Sequence, residues 1–165
     1  MHPVFARGTS DTAALGGWIT IDSPTALEVM AGAGFDYLCI DAQHSLIGVI
    51  EAARLLHCAD REGPPVLVRV PANNAADIGK LLDCGAAGVI VPMVENVEQA
   101  HAAARACTYA AGGVRSFGPI RRDLPRRPAE LAEAASCFVM IETGEGVRNA
   151  TVIAAVSGIA GLYLG

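Results

Sequence analysis

The sequence predicts an α/β fold with a parallel sheet, and three observations lead there. Short apolar runs rich in branched residues alternate with longer alanine-rich stretches of helical period, the pattern of repeated βα units. Helix punctuation falls between those runs: Ser23-Pro24 joins a capping hydroxyl to a proline at the first helical position, and Gly34, Gly63 and Gly85 stand where left-handed helix stops are expected. Polar, chemistry-bearing residues collect just past the apolar runs, at the strand ends where parallel α/β folds gather their sites.

The elements follow in order. The run Trp18–Ile21 is expected as the first strand, with a helix near Thr25–Ala33 behind the Ser23-Pro24 start. Tyr37–Asp41 (YLCID) and Val66–Val70 (VLVRV) are the next strands, separated by a helix over Val49–Arg61. A helix at Ala75–Leu82 leads to the strand Gly88–Val91, and the alanine-rich Val97–Cys107 is the following helix. Ala129–Ala135 is a short helix before the strand Phe138–Glu142, and Ala150–Val156 a helix before the last strand, Gly161–Leu164. The stretch between Ala110 and Pro128 has no apolar periodicity, is dense in Gly and Pro and carries Arg115, Arg121, Arg122, Arg126 and Arg127. It reads as a long loop whose arginines meet solvent, a neighbouring subunit or an anionic substrate, the first two being the commoner fates of such clusters.

Composition bounds the function. A chain of 165 residues, 52% hydrophobic and 18% charged with formal net charge −5, is too apolar to be disordered and long enough for one domain with a real core. The acidic balance and the 5% aromatic content argue against a nucleic-acid partner. No apolar run reaches the ~18 residues needed to cross a bilayer, and Met1–Asp11 lacks the apolar segment of a secretory leader, so no membrane association and a cytoplasmic location are expected. Five scattered cysteines without a Cys-x-x-Cys pair are expected to be reduced, buried thiols. A dinucleotide fingerprint, a P-loop and a nucleophile elbow are missing, and the single lysine, Lys80, sits within a helix, which disfavours Schiff-base chemistry.

The strand ends carry the candidates. His44 lies just past Asp41, where it is either a base or a structural residue bonded to a carbonyl. Arg69 ends a strongly apolar strand and needs a carboxylate from the protein or from a ligand. Glu142 closes FVMIE and needs a metal or an arginine. Asp83, at a helix end where negative charge is unfavourable, orients an imidazole or lies on the surface.

Taken together, these blocks resemble the HpcH/HpaI family of aldolases. The resemblance runs from Gly17 to Gly165 and is carried by Ser23-Pro24, Ile40-Asp41-Ala42-Gln43-His44, Val68-Arg69-Val70-Pro71 and Leu81-Leu82-Asp83-Cys84-Gly85-Ala86. It continues through Val91-Pro92-Met93-Val94, Gly113-Val114-Arg115, Ile141-Glu142-Thr143 and Leu162-Tyr163-Leu164-Gly165. It implies a (β/α)8 TIM barrel, of which about six of the eight βα units are present, and a reaction joining or parting pyruvate and an aldehyde through a metal-bound pyruvate enolate. By the same resemblance His44 is the general base, Asp83 the carboxylate paired with it, and Arg69 the arginine that holds the 2-oxo acid, with Gln43 as a further substrate contact. Glu142 is one of two carboxylates for Mg²⁺, Mn²⁺ or Co²⁺, and the chain is expected as a subunit of a homo-oligomer, a hexamer in the family.

The sequence departs from the family at Gln43, where a glutamate is usual, and at Met140, where a glutamine is usual. The second metal aspartate of the family lies beyond Gly165, and a full barrel takes about 250 residues. A truncated, inactive aldolase-like subunit and a citrate-lyase-β-like lyase of CoA esters are the alternative expectations.

Overall fold

The computed structural model describes residue 5, residues 13–110 and residues 112–165. Apart from Phe5, the Met1–Asp11 stretch lies outside the described residues, as does position 111 of the arginine loop. Six strands form one sheet in strictly sequential order: β1 (Gly16–Ile19), β2 (Tyr37–Asp41), β3 (Val66–Arg69), β4 (Gly88–Val91), β5 (Ser136–Ile141) and β6 (Gly161–Leu164). Every neighbouring pair is parallel. The crossovers carry α1 (Pro24–Ala31), α2 (Val49–Cys58), α3 (Ala75–Asp83), α4 (Val97–Cys107), α5 (Pro128–Ala134) and α6 (Gly144–Ala154). This is the parallel α/β sheet that the alternating pattern predicted, curled into the part-barrel that the resemblance implied, with five strand-to-strand crossovers and a sixth strand.

Two apolar layers hold it. Between sheet and helices, alternate strand residues such as Leu38, Ile40, Val68, Val89, Val91 and Val139 pack against Leu27, Leu55, Leu56, Ile78, Leu81 and Ile153 of the helices, all buried. The other strand face, which becomes the interior of the curl, stacks Cys39, Leu67, Ile90 and Met140 with the aromatics Trp18, Tyr37, Phe138 and Tyr163. Phe5 packs edge-on against Tyr37 and Phe138 on this inner side. A strand covered on both faces reads as a continuous apolar run, which is why β3 and β4 are buried at every residue.

Helix ends follow the expected chemistry with some shifts. Ser23 caps α1 with Pro24 at its first position, and Asn74 and Asn96 cap α3 and α4 through side-chain oxygens. Gly34 and Gly85 do adopt left-handed φ values of 87° and 100°, whereas Gly63 does not, because α2 already stops at an extended Ala59. The first strand begins two residues earlier than expected, at Gly16, where the Tyr37 ring leaves no room for a Cβ. The last helix begins at Gly144, six residues before the alanine-rich stretch that signalled it, because the Thr143 hydroxyl accepts from the Gly146 N–H and caps it there. All five cysteines are free, and Cys58, expected to be buried, is exposed at the end of α2.

The long loop divides its arginines. Arg115 inserts beside α3 and α4, buried, with its guanidinium 2.7 Å from Asp83 and over the Tyr109 ring. Arg121 bonds the carbonyls of Leu56 and Ala59 at the end of α2 and pairs with Asp123. Arg127 is exposed beside Glu130. Among the described residues no helix is long and apolar enough to cross a membrane.

Candidate active site

The site is built at the carboxyl ends of β2, β3 and β5. Register puts Asp41, the last residue of β2, beside Arg69, the last residue of β3. The Asp41 carboxylate takes the arginine fork in a two-point pair, with Arg69 Nε donating to Oδ1 at 2.9 Å and the second nitrogen, NH2, donating to Oδ2. Both are almost fully buried. The counter-charge that the apolar strand demanded is thus a protein carboxylate. The Trp18 indole N–H donates to Asp41 Oδ2 at 3.3 Å, and the guanidinium lies over the Trp18 ring at 5.2 Å. The remaining terminal nitrogen of Arg69, NH1, faces the Met140 sulfur at 3.9 Å across the inner face.

Asp41 is also the hub of the loop that carries the base candidate. Its Oδ1 accepts the backbone N–H groups of Gln43 and His44 at 3.0 and 3.1 Å. The Ser45 hydroxyl donates to the Asp41 carbonyl and accepts from Ile47 N–H, closing the turn. Asp41 therefore fixes the arginine through its carboxylate and the path of residues 43–47 through its carboxylate and its main-chain carbonyl, leaving His44 exposed past β2. Burial alone would push the Asp41 carboxyl up, but the Arg69 bonds, the two backbone N–H groups and Trp18 outweigh it and hold the pKa down at about 2. Arg69 is raised by its bonds to Asp41 against the opposing effect of burial, with the Glu142 charge adding to the rise.

Glu142 stands half-buried just past β5, close enough for that charge to be felt at Arg69. Its Oε1 accepts the backbone N–H of Met93 at 2.8 Å, and its Oε2 has no hydrogen-bond partner among the described residues. Gln43 turns inward, and its Oε1 is buried without a partner. Arg69, His44, Gln43 and Glu142 are thus brought to one face.

Asp83 is not. It ends α3, and in a βα unit the helix end lies at the opposite rim of the sheet from the strand ends. Its carboxylate pairs there with Arg115, so within this chain it does not serve as the partner of His44. The residue that sequence reasoning passed over is Asp41. The available signal was an acidic residue closing one apolar strand and a basic residue closing the next, which parallel pairing sets side by side.

Among the described residues no group of three or more His, Cys, Asp or Glu is gathered to hold a metal ion. Beside Arg69 the described residues place an uncommitted carboxylate oxygen, Oε2 of Glu142. That donor suits a hard divalent ion that keeps several waters, as Mg²⁺ and Mn²⁺ do, rather than a closed protein cage.

A curled parallel sheet that gathers an arginine, an exposed imidazole and a free carboxylate oxygen at its strand ends has the layout of a barrel with its polar site at the carboxyl rim. Residues 15–165 match the sequence profile of the HpcH/HpaI aldolase/citrate lyase family. The hydroxypyruvate/pyruvate aldolase of Rhizorhabdus wittichii is 39% identical over 155 residues, covering 92% of this chain and 62% of that protein. A 4-hydroxy-2-oxovalerate aldolase of Novosphingobium aromaticivorans is 39% identical over 160 residues, covering 92% and 60%. Among solved structures, an HpcH/HpaI aldolase/citrate lyase family protein from Burkholderia cenocepacia superposes with a TM-score of 0.86 at 27% identity, covering all of this chain and 69% of that one. The chain belongs to the HpcH/HpaI aldolase/citrate lyase family. It spans about three fifths of the length of these two curated relatives.

Proposed function

We propose that this chain carries the strand-end half of a divalent-metal-dependent aldolase site, cleaving or forming the C3–C4 bond of 4-hydroxy-2-oxo acids to give pyruvate and an aldehyde. The observation that carries the reading is the double role of Asp41, which ties the anion clamp to the base-bearing loop. Named aldolases among the relatives support the reaction class.

The geometry supports the following roles. Asp41 occupies Nε and NH2 of Arg69, so a substrate carboxylate is left NH1, the edge now beside Met140. That edge also meets the charge that grows on the C2 oxygen as the bond breaks. His44, exposed at the mouth, takes the proton from the C4 hydroxyl; the C3–C4 electron pair moves to the C2–C3 position and the aldehyde leaves. Return of that proton from His44 to C3, directly or through water, then completes pyruvate and restores the base. A divalent cation, when bound, would supply Lewis acidity at the 2-oxo group, and the unbonded Oε2 of Glu142 supports a role for that residue in holding it. Met140 puts an apolar side chain beside Arg69 NH1 where the resemblance implies a polar one.

The test is proton–deuterium exchange at the pyruvate methyl group, followed by NMR with and without Mg²⁺. Metal-dependent exchange that disappears in Glu142→Gln is the expected result. Equal exchange without metal, or none from the folded chain, overturns the assignment. In the aldol direction His44→Ala is expected to lower turnover by about 10²-fold or more, as loss of a general base does. Wild-type rates in that variant exclude His44 as the base.

A further inference from the structure

We propose that Met93 is a positioning residue for Glu142: its left-handed backbone turns its N–H onto Oε1, so that Glu142 offers a cation a single oxygen, Oε2. The proposal rests on the reading of Glu142 as a cation ligand given above.

Met93 is the only non-glycine residue with positive φ among the described residues, at 57°; the others are Gly34, Gly85 and Gly158. An unbranched L residue held there is strained, and such strain persists only where the surroundings over-determine it. Here they do. The chain leaves β4 at Val91, passes Pro92, and must at once seat the buried Val94 in the outer core while the Val94 N–H returns to the Met140 carbonyl at 3.3 Å. Rolling Met93 into the left-handed region is how the backbone makes that return. The Met93 side chain gains little from it, being 52% exposed. What the conformation yields instead is an N–H aimed across the sheet at Glu142 Oε1, 2.8 Å away.

A carboxylate with one oxygen committed in this way has a lone pair of Oε1 already used and is biased towards binding through Oε2. Its free oxygen is fixed in direction by a backbone atom rather than by a flexible side chain. The bond to Met93 does for a metal-binding carboxylate what outer hydrogen bonds do for ligands generally: it removes rotational freedom before the ion arrives. The half-exposed Met93 side chain then stands at the rim of the site as a by-product of the backbone turn.

Mn²⁺ is the probe, its dissociation constant read by electron paramagnetic resonance, together with hydrogen exchange of the residue 93 amide by NMR. Met93→Gly accepts the left-handed conformation without a Cβ clash, and is expected to bind Mn²⁺ within about threefold of wild type and to melt at a higher temperature. Met93→Val resists positive φ, and is expected to weaken Mn²⁺ binding by about tenfold, the loss typical of an outer-shell partner. Glu142→Ala is expected to expose the residue 93 amide to exchange, whereas Glu142→Gln keeps an acceptor oxygen and keeps the amide protected while losing Mn²⁺. A valine variant with wild-type Mn²⁺ affinity, or an amide that exchanges equally fast in wild type and Glu142→Ala, overturns the proposal. Failure of the wild-type chain to bind Mn²⁺ overturns the cation reading beneath it, and the exchange comparison still decides whether Met93 holds Glu142.

Discussion

Asp41 does more with one side chain than any other residue at the strand ends. Removing it leaves the Arg69 charge buried beside Trp18 and frees the His44 loop, so Asp41→Ala is expected to destabilise the fold by about 3–5 kcal/mol, the usual cost of orphaning a buried charge. Urea unfolding measures this, and a loss below 1 kcal/mol would refute the hub role. Titration gives a second expectation. The folded carboxyl sits near pKa 2, below its value of about 3.9 in the unfolded chain. Stability from this group is therefore fully present above pH ~4 and drains away as pH falls towards 2, a loss of about 2 kcal/mol that Asp41→Asn removes from the pH profile. The individual strand-end residues were legible because apolar runs make a terminal Asp, Arg or Glu conspicuous. Their pairing was not, since register between strands is a property of the sheet and not of either run. Asp83 shows the same limit from the other side: its identity was visible, but the rim on which it stands was set by helix direction and by an arginine 32 residues further along.

Elements reveal their centres better than their ends. The β2, β3, β4 and β6 runs were readable within a residue because each is a short, mainly apolar run, and in β3 and β4 every position is buried. The start of α6 was hidden behind Gly144-Glu145-Gly146, residues that look like a turn, although Thr143 supplies a good cap. Thr143→Ala removes that cap and is expected to cost about 1 kcal/mol, read as a lower melting temperature. Since Thr143 follows Glu142, the same variant also tests how firmly α6 anchors the end of β5. Gly88 makes a different demand. A Cβ there would come 2.3 Å from the Ser136 carbonyl oxygen, so Gly88→Ala is expected to force β4 and β5 apart and destabilise by about 1–3 kcal/mol. A neutral effect in denaturant unfolding would show that the two strands separate without loss.

At the scale of the whole molecule, two apolar layers share the same six strands, so neither is expected to melt alone. Trp18, the single tryptophan, belongs to the inner layer, while backbone circular dichroism is dominated by the outer helices. Unfolding curves from the two signals are expected to coincide, as in a two-state transition. An earlier transition by fluorescence would show that the inner layer opens first. The sheet order carries one more implication. Each strand from β2 to β6 pairs with the strand immediately before it in the chain, and none is inserted between two earlier ones. As the polypeptide leaves the ribosome, every new strand therefore meets a neighbour that has already emerged. Among these six strands assembly can follow the direction of translation, with nascent β1–β2 as its seed and each pairing step using a neighbour already made.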